Sequence, residues 1–267
     1  MKYLGEHLLP GQLGQFFVLL SFVSALVATI AYFKASQAEL VEQAAGWKKL
    51  GRIAFIIDAA SVFAIFSIIY YIISNHYFEY HYAWNHSDRS LDTGYLLSSI
   101  WEGQEGSFLL WTLWHGVLGI ILIRTSGKWE APVLTVVSFV QFILATMIIG
   151  IHIFDVKIGS TPFLLTRQVF QDAPIFAQAD YLTRIKDGNG LNQLLQNYWM
   201  VIHPPILFLG FASTLIPFAF AIAGLWKKDY GGWTKVAVPW TLFSAGILGL
   251  GIMMGAKWAY ESLNFGG

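Results

Sequence analysis

Val201-Ile202-His203-Pro204-Pro205 joins an imidazole to two prolines at the entrance of a long apolar run. Proline holds the residue before it out of the α region. It also suits the first helical turn, where a missing N–H costs nothing. The sequence therefore predicts an extended segment at His203, with a helix over 206–226 behind it. A helix N-terminus carries partial positive charge, which disfavours imidazolium and favours the neutral ring that ligates metals. The same end attracts carboxylates. A histidine that merely caps a helix or sits at a membrane interface is the competing reading.

A second chemical cluster is Trp101-Glu102-Gly103-Gln104-Glu105-Gly106-Ser107-Phe108-Leu109-Leu110-Trp111. Gly103 and Gly106 permit tight turns or close backbone approach, Ser107 reads as the cap of the helix that begins there, and Glu105 suits the helix dipole. Two acidic groups beside two tryptophans also fit the rim of a site for a planar, amphipathic ligand. His76, His81 and His86 recur at intervals that share neither a helix face nor a strand face, which argues against a metal site. Their Tyr and Trp neighbours read as an aromatic belt where the chain leaves a bilayer. Within the apolar runs the ionisable residues are Asp58, His115, His152 and Lys257. Such groups are functional candidates by default, and His115 is the deepest. Gly251 and Gly255 form a small-residue face suited to helix packing.

These residues must be positioned by membrane-spanning helices. Of 267 residues, 56% are hydrophobic and 12% charged, and mean hydropathy is +0.56. Soluble domains carry about 25% charged residues. Six apolar segments, near 14–33, 53–73, 106–123, 132–154, 206–226 and 238–257, are long enough to cross a bilayer. The fold class is an all-α, polytopic membrane protein with a single membrane domain. Two long outer loops, 74–105 and 155–205, carry short surface helices. In the second loop these are expected near 177–185 and 191–198, with a turn at Asp187-Gly188-Asn189-Gly190 between them. Lys34, Lys48, Lys49, Arg52, Arg124, Lys128, Lys227, Lys228 and Lys235 crowd three short loops. By the positive-inside rule those loops are cytoplasmic, so both termini and both long loops face outward. Zero net charge argues against a nucleic-acid surface. No cysteine is present, which excludes structural disulfides.

Four stretches carry a family resemblance. They are Trp101–Trp111 (pattern W-G-G-x-E-G-S-x-L-L-W), Thr161-Pro162-Phe163, Leu191-Asn192 through Leu195 leading into Val201–Pro205 (L-N-P-L-L-Q…V-I-H-P-P), and Pro239-Trp240-Thr241 through Gly267. Their order and spacing, over roughly 75–267, resemble the N-terminal part of the CcmF/NrfE haem lyase family of cytochrome c biogenesis. The resemblance implies that His203 is an axial ligand to haem iron on the outer face. It implies that Trp101, Gly103, Glu105 and Gly106 lie near the haem-bearing surface, with haem as cofactor or substrate. Departures from the pattern are Glu102 where glycine is usual, Gln104 where histidine is common, and Lys257 where tryptophan is frequent.

The implied reaction joins haem vinyl groups to the two thiols of a Cys-x-x-Cys-His segment in an exported apocytochrome c. It takes place at the outer side of a bacterial inner membrane. The implied partners are apocytochrome c, a haem carrier and a thiol-reducing protein. A further partner is the C-terminal part bearing a tryptophan-rich W-W-D segment, which the family places directly after the Gly-Gly matching Gly266-Gly267. On this reading Gly267 marks a fragment or split-gene boundary, and the chain is inactive alone. A non-catalytic docking subunit of the same machinery is the alternative. A transporter subunit is a further one, opposed by the scarcity of charge at mid-membrane depth.

Overall fold

A computed structural model describes residues 3–154 and 156–263. Six helices in it are long and apolar enough to cross a membrane: α1 (Leu8–Gln37), α2 (Val41–Ser74), α5 (Gln104–Thr125), α6 (Glu130–Ile148), α8 (Tyr198–Trp226) and α9 (Thr234–Ser262). The stretch between α2 and α5 holds the short helices α3 (His81–His86) and α4 (Thr93–Ser98). After α6 comes a small antiparallel hairpin of β1 (Ile151–Ile153) and β2 (Val156–Ile158), with Ile151 opposite Ile158, and then the single turn α7 (Thr166–Val169). Apolar side chains such as Phe63, Leu242 and Met253 point outward from the bundle. That arrangement suits a hydrocarbon solvent, where association rests on close packing and hydrogen bonds rather than on apolar burial.

The helices run past the expected apolar segments, α2 by twelve residues at its start, and three departures change the reading. The fourth span was expected to reach residue 154, yet α6 ends at Ile148. Gly150 turns the chain there with φ +60, and the apolar residues beyond it form the hairpin instead. Alternating Ile151 and Ile153 carry a strand period that hydropathy alone reads as more span. The surface helices expected near 177–185 and 191–198 are isolated 3₁₀ turns at Pro174–Ala177, Tyr181–Arg184 and Gln193–Leu195. Finally, α8 begins eight residues before Ile206, so His203 is helical rather than extended.

Both ends of the bundle are tied by polar contacts. At the end bearing the short loops, Arg52 grips Glu130 through two hydrogen bonds of 2.6 and 2.7 Å, and Lys128 donates to Asp229 at 2.8 Å. At the other end the chain preceding α1 is pinned to both long loops. Glu6 accepts from Arg167 (2.6 Å) and from the Tyr181 hydroxyl (2.8 Å). The backbone N–H of His7 donates to Glu79 (2.9 Å), and the Tyr80 hydroxyl bridges the His7 carbonyl and the Gly11 N–H. Thr161-Pro162-Phe163 closes the same end: Thr161 donates to Gln15 (2.8 Å), and the Phe163 ring fills the space that a side chain at Gly14 would need. The loops are thus held as a fixed cover over one end of the helices.

Candidate functional site

The site is built around the first turns of α8. Asn197 caps the helix by accepting from the Trp199 N–H at 2.9 Å, a standard use of asparagine. That cap starts the helix early enough to make Pro204 and Pro205 its seventh and eighth residues. Each proline lacks the N–H that would bond the carbonyl four residues back. Pro204 therefore leaves the Met200 carbonyl free within its own helix. The Trp101 indole fills that gap, its Nε1–H donating to Met200 O at 3.1 Å. The proline and tryptophan motifs, 99 residues apart, meet at this bond.

His203 lies one turn beyond Met200 and is half-buried against α9. Its Nδ1 is 2.9 Å from the Gly251 carbonyl. A carbonyl oxygen only accepts, so Nδ1 carries the hydrogen and Nε2 keeps its lone pair. This backbone contact is the orienting partner that a metal-ligating histidine requires. The ring rests on Gly255, where an added Cβ would stand 2.5 Å from Cε1 and 2.9 Å from Nε2. Helix contact is close all along this seam. A Cβ at Gly251 would meet the Leu207 backbone at 2.7 Å, and one at Gly210 the Leu248 backbone at 2.7 Å. The expected small-residue face is thus a packing surface and also the floor beneath the imidazole. Because the cap at Asn197 places His203 in the second turn, the helix dipole, which acts within the first turn, has little hold on the ring. The hydrogen bond to Gly251 sets its tautomer.

The Trp101 run packs beside this seam. Trp101 is 6% exposed and its ring lies over Phe66, with centroids 6.4 Å apart. Gly103, not Ser107, is the N-cap of α5, in extended geometry (φ −75, ψ 163). The Ser107 hydroxyl donates back to the Trp101 carbonyl at 3.0 Å, which fastens the turn before the helix. Gly106 is required because any side chain there would collide with the Ile100 carbonyl. Gly103 faces Tyr82 and His86, whose atoms lie 2.7 to 2.9 Å from where its Cβ would be. Glu105 stands in the first turn of α5, partly exposed, and Glu102 is paired with His86 at 2.6 Å. Trp101, Gly103 and Gly106 thus brace the segment, while Glu105 and Glu102 line its outer edge.

The three loop histidines go separate ways. His86 joins Glu102, His81 lies among Trp84 and Phe170, and His76 sits by Phe78 in left-handed backbone (φ 53). Burial of the His81 ring, followed by the neighbouring His86, holds its pKa below the ordinary histidine range. Burial raises the Tyr82 phenol well above its ordinary value. Among the described residues, no group of three His, Asp or Glu could hold a metal ion. Asp58 is fully buried, accepting from Ser21 (2.6 Å) and Gln141 (3.1 Å). Lys257 pairs with Glu261 at 2.8 Å. His115 is 2% exposed, with neither ring nitrogen hydrogen-bonded among the described residues. The side chain of His152 and residues Gly266 and Gly267 lie outside the described part. Sequence reasoning passed over Asn197 and read Gly251 as a packing residue alone. Asparagine directly before the apolar run Tyr198–Ile202 is a readable cap signal, whereas the Gly251 carbonyl carries no signal at all.

The fold and site define a class: a polytopic helical membrane protein that presents a backbone-oriented histidine at its loop-covered end. Within that class the chain belongs to the cytochrome c assembly protein family, whose model matches residues 101–267. It is 33% identical over 218 residues to the cytochrome c-type biogenesis protein CcmF of Haemophilus influenzae, covering 78% of this chain and 30% of that relative. It is 27% identical over 264 residues to ccl1 of Rhodobacter capsulatus, covering 95% and 36%. The solved structure of a cytochrome c haem lyase CcmF superposes with a TM-score of 0.74 at 22% identity, over all of this chain and 39% of that one, which shows a shared fold. The chain thus spans about a third of the length of the relatives it matches.

Proposed function

We propose that the chain is the N-terminal portion of a haem lyase. It holds haem, as substrate, through His203 at the outer face of a bacterial inner membrane for thioether attachment to apocytochrome c. The observation that carries this reading is the bond from His203 Nδ1 to the Gly251 carbonyl, which leaves Nε2 free to ligate iron. The residues fit the role. The imidazole is partly exposed, its tautomer is set by backbone, and it lies over a glycine surface that keeps bulk away from the ligating edge. Trp101 holds the helix that bears it, Gly103 and Gly106 let the Trp101 segment close on that helix, and Glu105 stands at the rim. Family membership and the coverage of a third of longer relatives support a division of labour in which the remaining length completes the haem site. Holding haem with its vinyl edges open and bringing thiols to them is catalysis by positioning. The partners on this reading are apocytochrome c, a haem carrier, a thiol-reducing protein and the C-terminal portion.

The test uses membranes containing the chain together with a C-terminal part of the kind its longer relatives carry. Haem is measured as pyridine haemochrome, and contacts are mapped by crosslinking from positions 101 and 105. The reading predicts haem that copurifies and crosslinks reaching haem or a Cys-x-x-Cys-His peptide. Crosslinks to partner proteins alone, with no haem retained, would instead make the chain a docking subunit.

A further inference from the structure

His86 and Glu102 form a pair that the haem-holding reading does not use. The Nδ1 of His86 lies 2.6 Å from Oε2 of Glu102, and each side chain is 15% exposed. A carboxylate accepts, so Nδ1 is again the hydrogen-bearing nitrogen, and in the neutral ring Nε2 is the base. Its surroundings hold the ring still. The Tyr82 ring lies 4.5 Å away, anchored by its hydroxyl to the Ile100 carbonyl at 2.7 Å. Nε2 itself borders Gly103, where a Cβ would approach to 2.9 Å, and Asn85 Nδ2 stands 3.5 Å off. A shielded carboxylate that orients an imidazole and leaves the opposite nitrogen unprotonated is the arrangement by which histidine moves protons. Location gives it a task. Glu102 follows Trp101, whose indole is bonded to Met200, one turn before His203. The pair thus sits on the segment braced against the proposed iron ligand.

We propose that His86 is the proton-transfer group of thioether formation and that Glu102 is its positioning residue. This rests on the haem-lyase reading. His86 Nε2 takes the proton from a cysteine S–H, and the sulfur then bonds to the vinyl carbon attached to the porphyrin ring. The vinyl π pair takes the proton back from Nε2 at the terminal carbon, which becomes a methyl group. An S–H bond and a C=C π bond are exchanged for C–S and C–H bonds. No electron is gained or lost, and the imidazole returns to its starting form. The titratable groups facing His86 are Glu102 and Tyr82, with His81 and Glu105 within electrostatic reach.

The experiment uses the full-length protein in membranes, with haem and a Cys-x-x-Cys-His peptide, and follows bound haem and thioether product separately across pH. His86→Gln is expected to keep its haem while forming thioether about 100-fold more slowly, the lower range for a lost general acid–base group. Glu102→Gln is expected to slow the reaction less and to change the shape of its pH profile, whereas Glu102→Asp recovers most of the rate. Should His86→Gln protein fail to accumulate, the Glu102 pair decides. Wild-type rate and pH profile in the haem-loaded His86→Gln or Glu102→Gln protein would overturn the proposal, as would loss of haem from either. A wild-type protein that binds haem but makes no thioether would overturn the haem-lyase reading itself.

Discussion

Asp58 and His203 are both ionisable side chains on long apolar helices, yet their hydrogen bonding differs in kind. Asp58 on α2 is wholly buried and both of its oxygens are used, one by Ser21 on α1 and the other by Gln141 on α6. Gln141 also reaches the Thr112 carbonyl on α5 at 3.2 Å, so one carboxyl joins the packing of four helices. His203 spends one nitrogen on Gly251, and the other, without a partner among the described residues, lies at a partly exposed edge. A buried polar group with every valence met serves packing, because leaving its partners unpaired is costly. A group oriented by one bond and open at the other end retains the capacity to bind. On the proposed function, the count of unmet bonds at an accessible edge, rather than residue type or depth, is what separates the two side chains. His115, deep and bonded to nothing among the described residues, falls in neither class.

Substitutions sharpen the contrast. Asp58→Ala removes the acceptor for two buried donors, each worth about 1–3 kcal/mol when orphaned. We expect a loss of roughly 3 kcal/mol, read as a large fall in the thermal midpoint in detergent, with haem per folded protein unchanged. Reduced haem at full stability would place Asp58 in the functional class. Gly255→Val should do the reverse. It displaces the His203 ring and cuts haem affinity about tenfold, equivalent to ~1.4 kcal/mol, in a protein that still assembles. Trp101→Phe keeps the ring on Phe66 but leaves the Met200 carbonyl without its donor. A loss of about 1 kcal/mol in stability is expected, with a modest drop in haem retention. Lys128→Ala breaks an exposed pair with Asp229, whose carboxyl that lysine holds below the usual carboxylate range, and a contact 5.0 Å over the Trp129 ring. No resolvable change in melting or haem binding is expected there.

The six spans were legible because a bilayer demands about 20 apolar residues per crossing and the chain supplies them. Their ends were not. Ile151 and Ile153 are as apolar as any span residue, and only the left-handed turn at Gly150 sends them into a hairpin. The prolines after His203 pointed to an extended entry. The cap at Asn197 and the tryptophan bond to Met200 instead let the helix run through them. His203 could be singled out from its own neighbours in sequence. The backbone oxygen that orients it comes from another helix, and nothing in a residue type announces which carbonyl will accept a side-chain bond. The pairing of His86 with Glu102 was invisible for a different reason: the two side chains are 16 residues apart and the loop histidines have no common periodicity.

The most direct test of His203 as iron ligand is the electron paramagnetic resonance spectrum of ferric haem in the full-length protein carrying His203→Gly, recorded before and after adding imidazole. The account predicts that most haem and the histidine-ligated signal are lost, and that free imidazole restores both by filling the space over Gly255. Full haem occupancy with an unaltered spectrum in the absence of imidazole would contradict it.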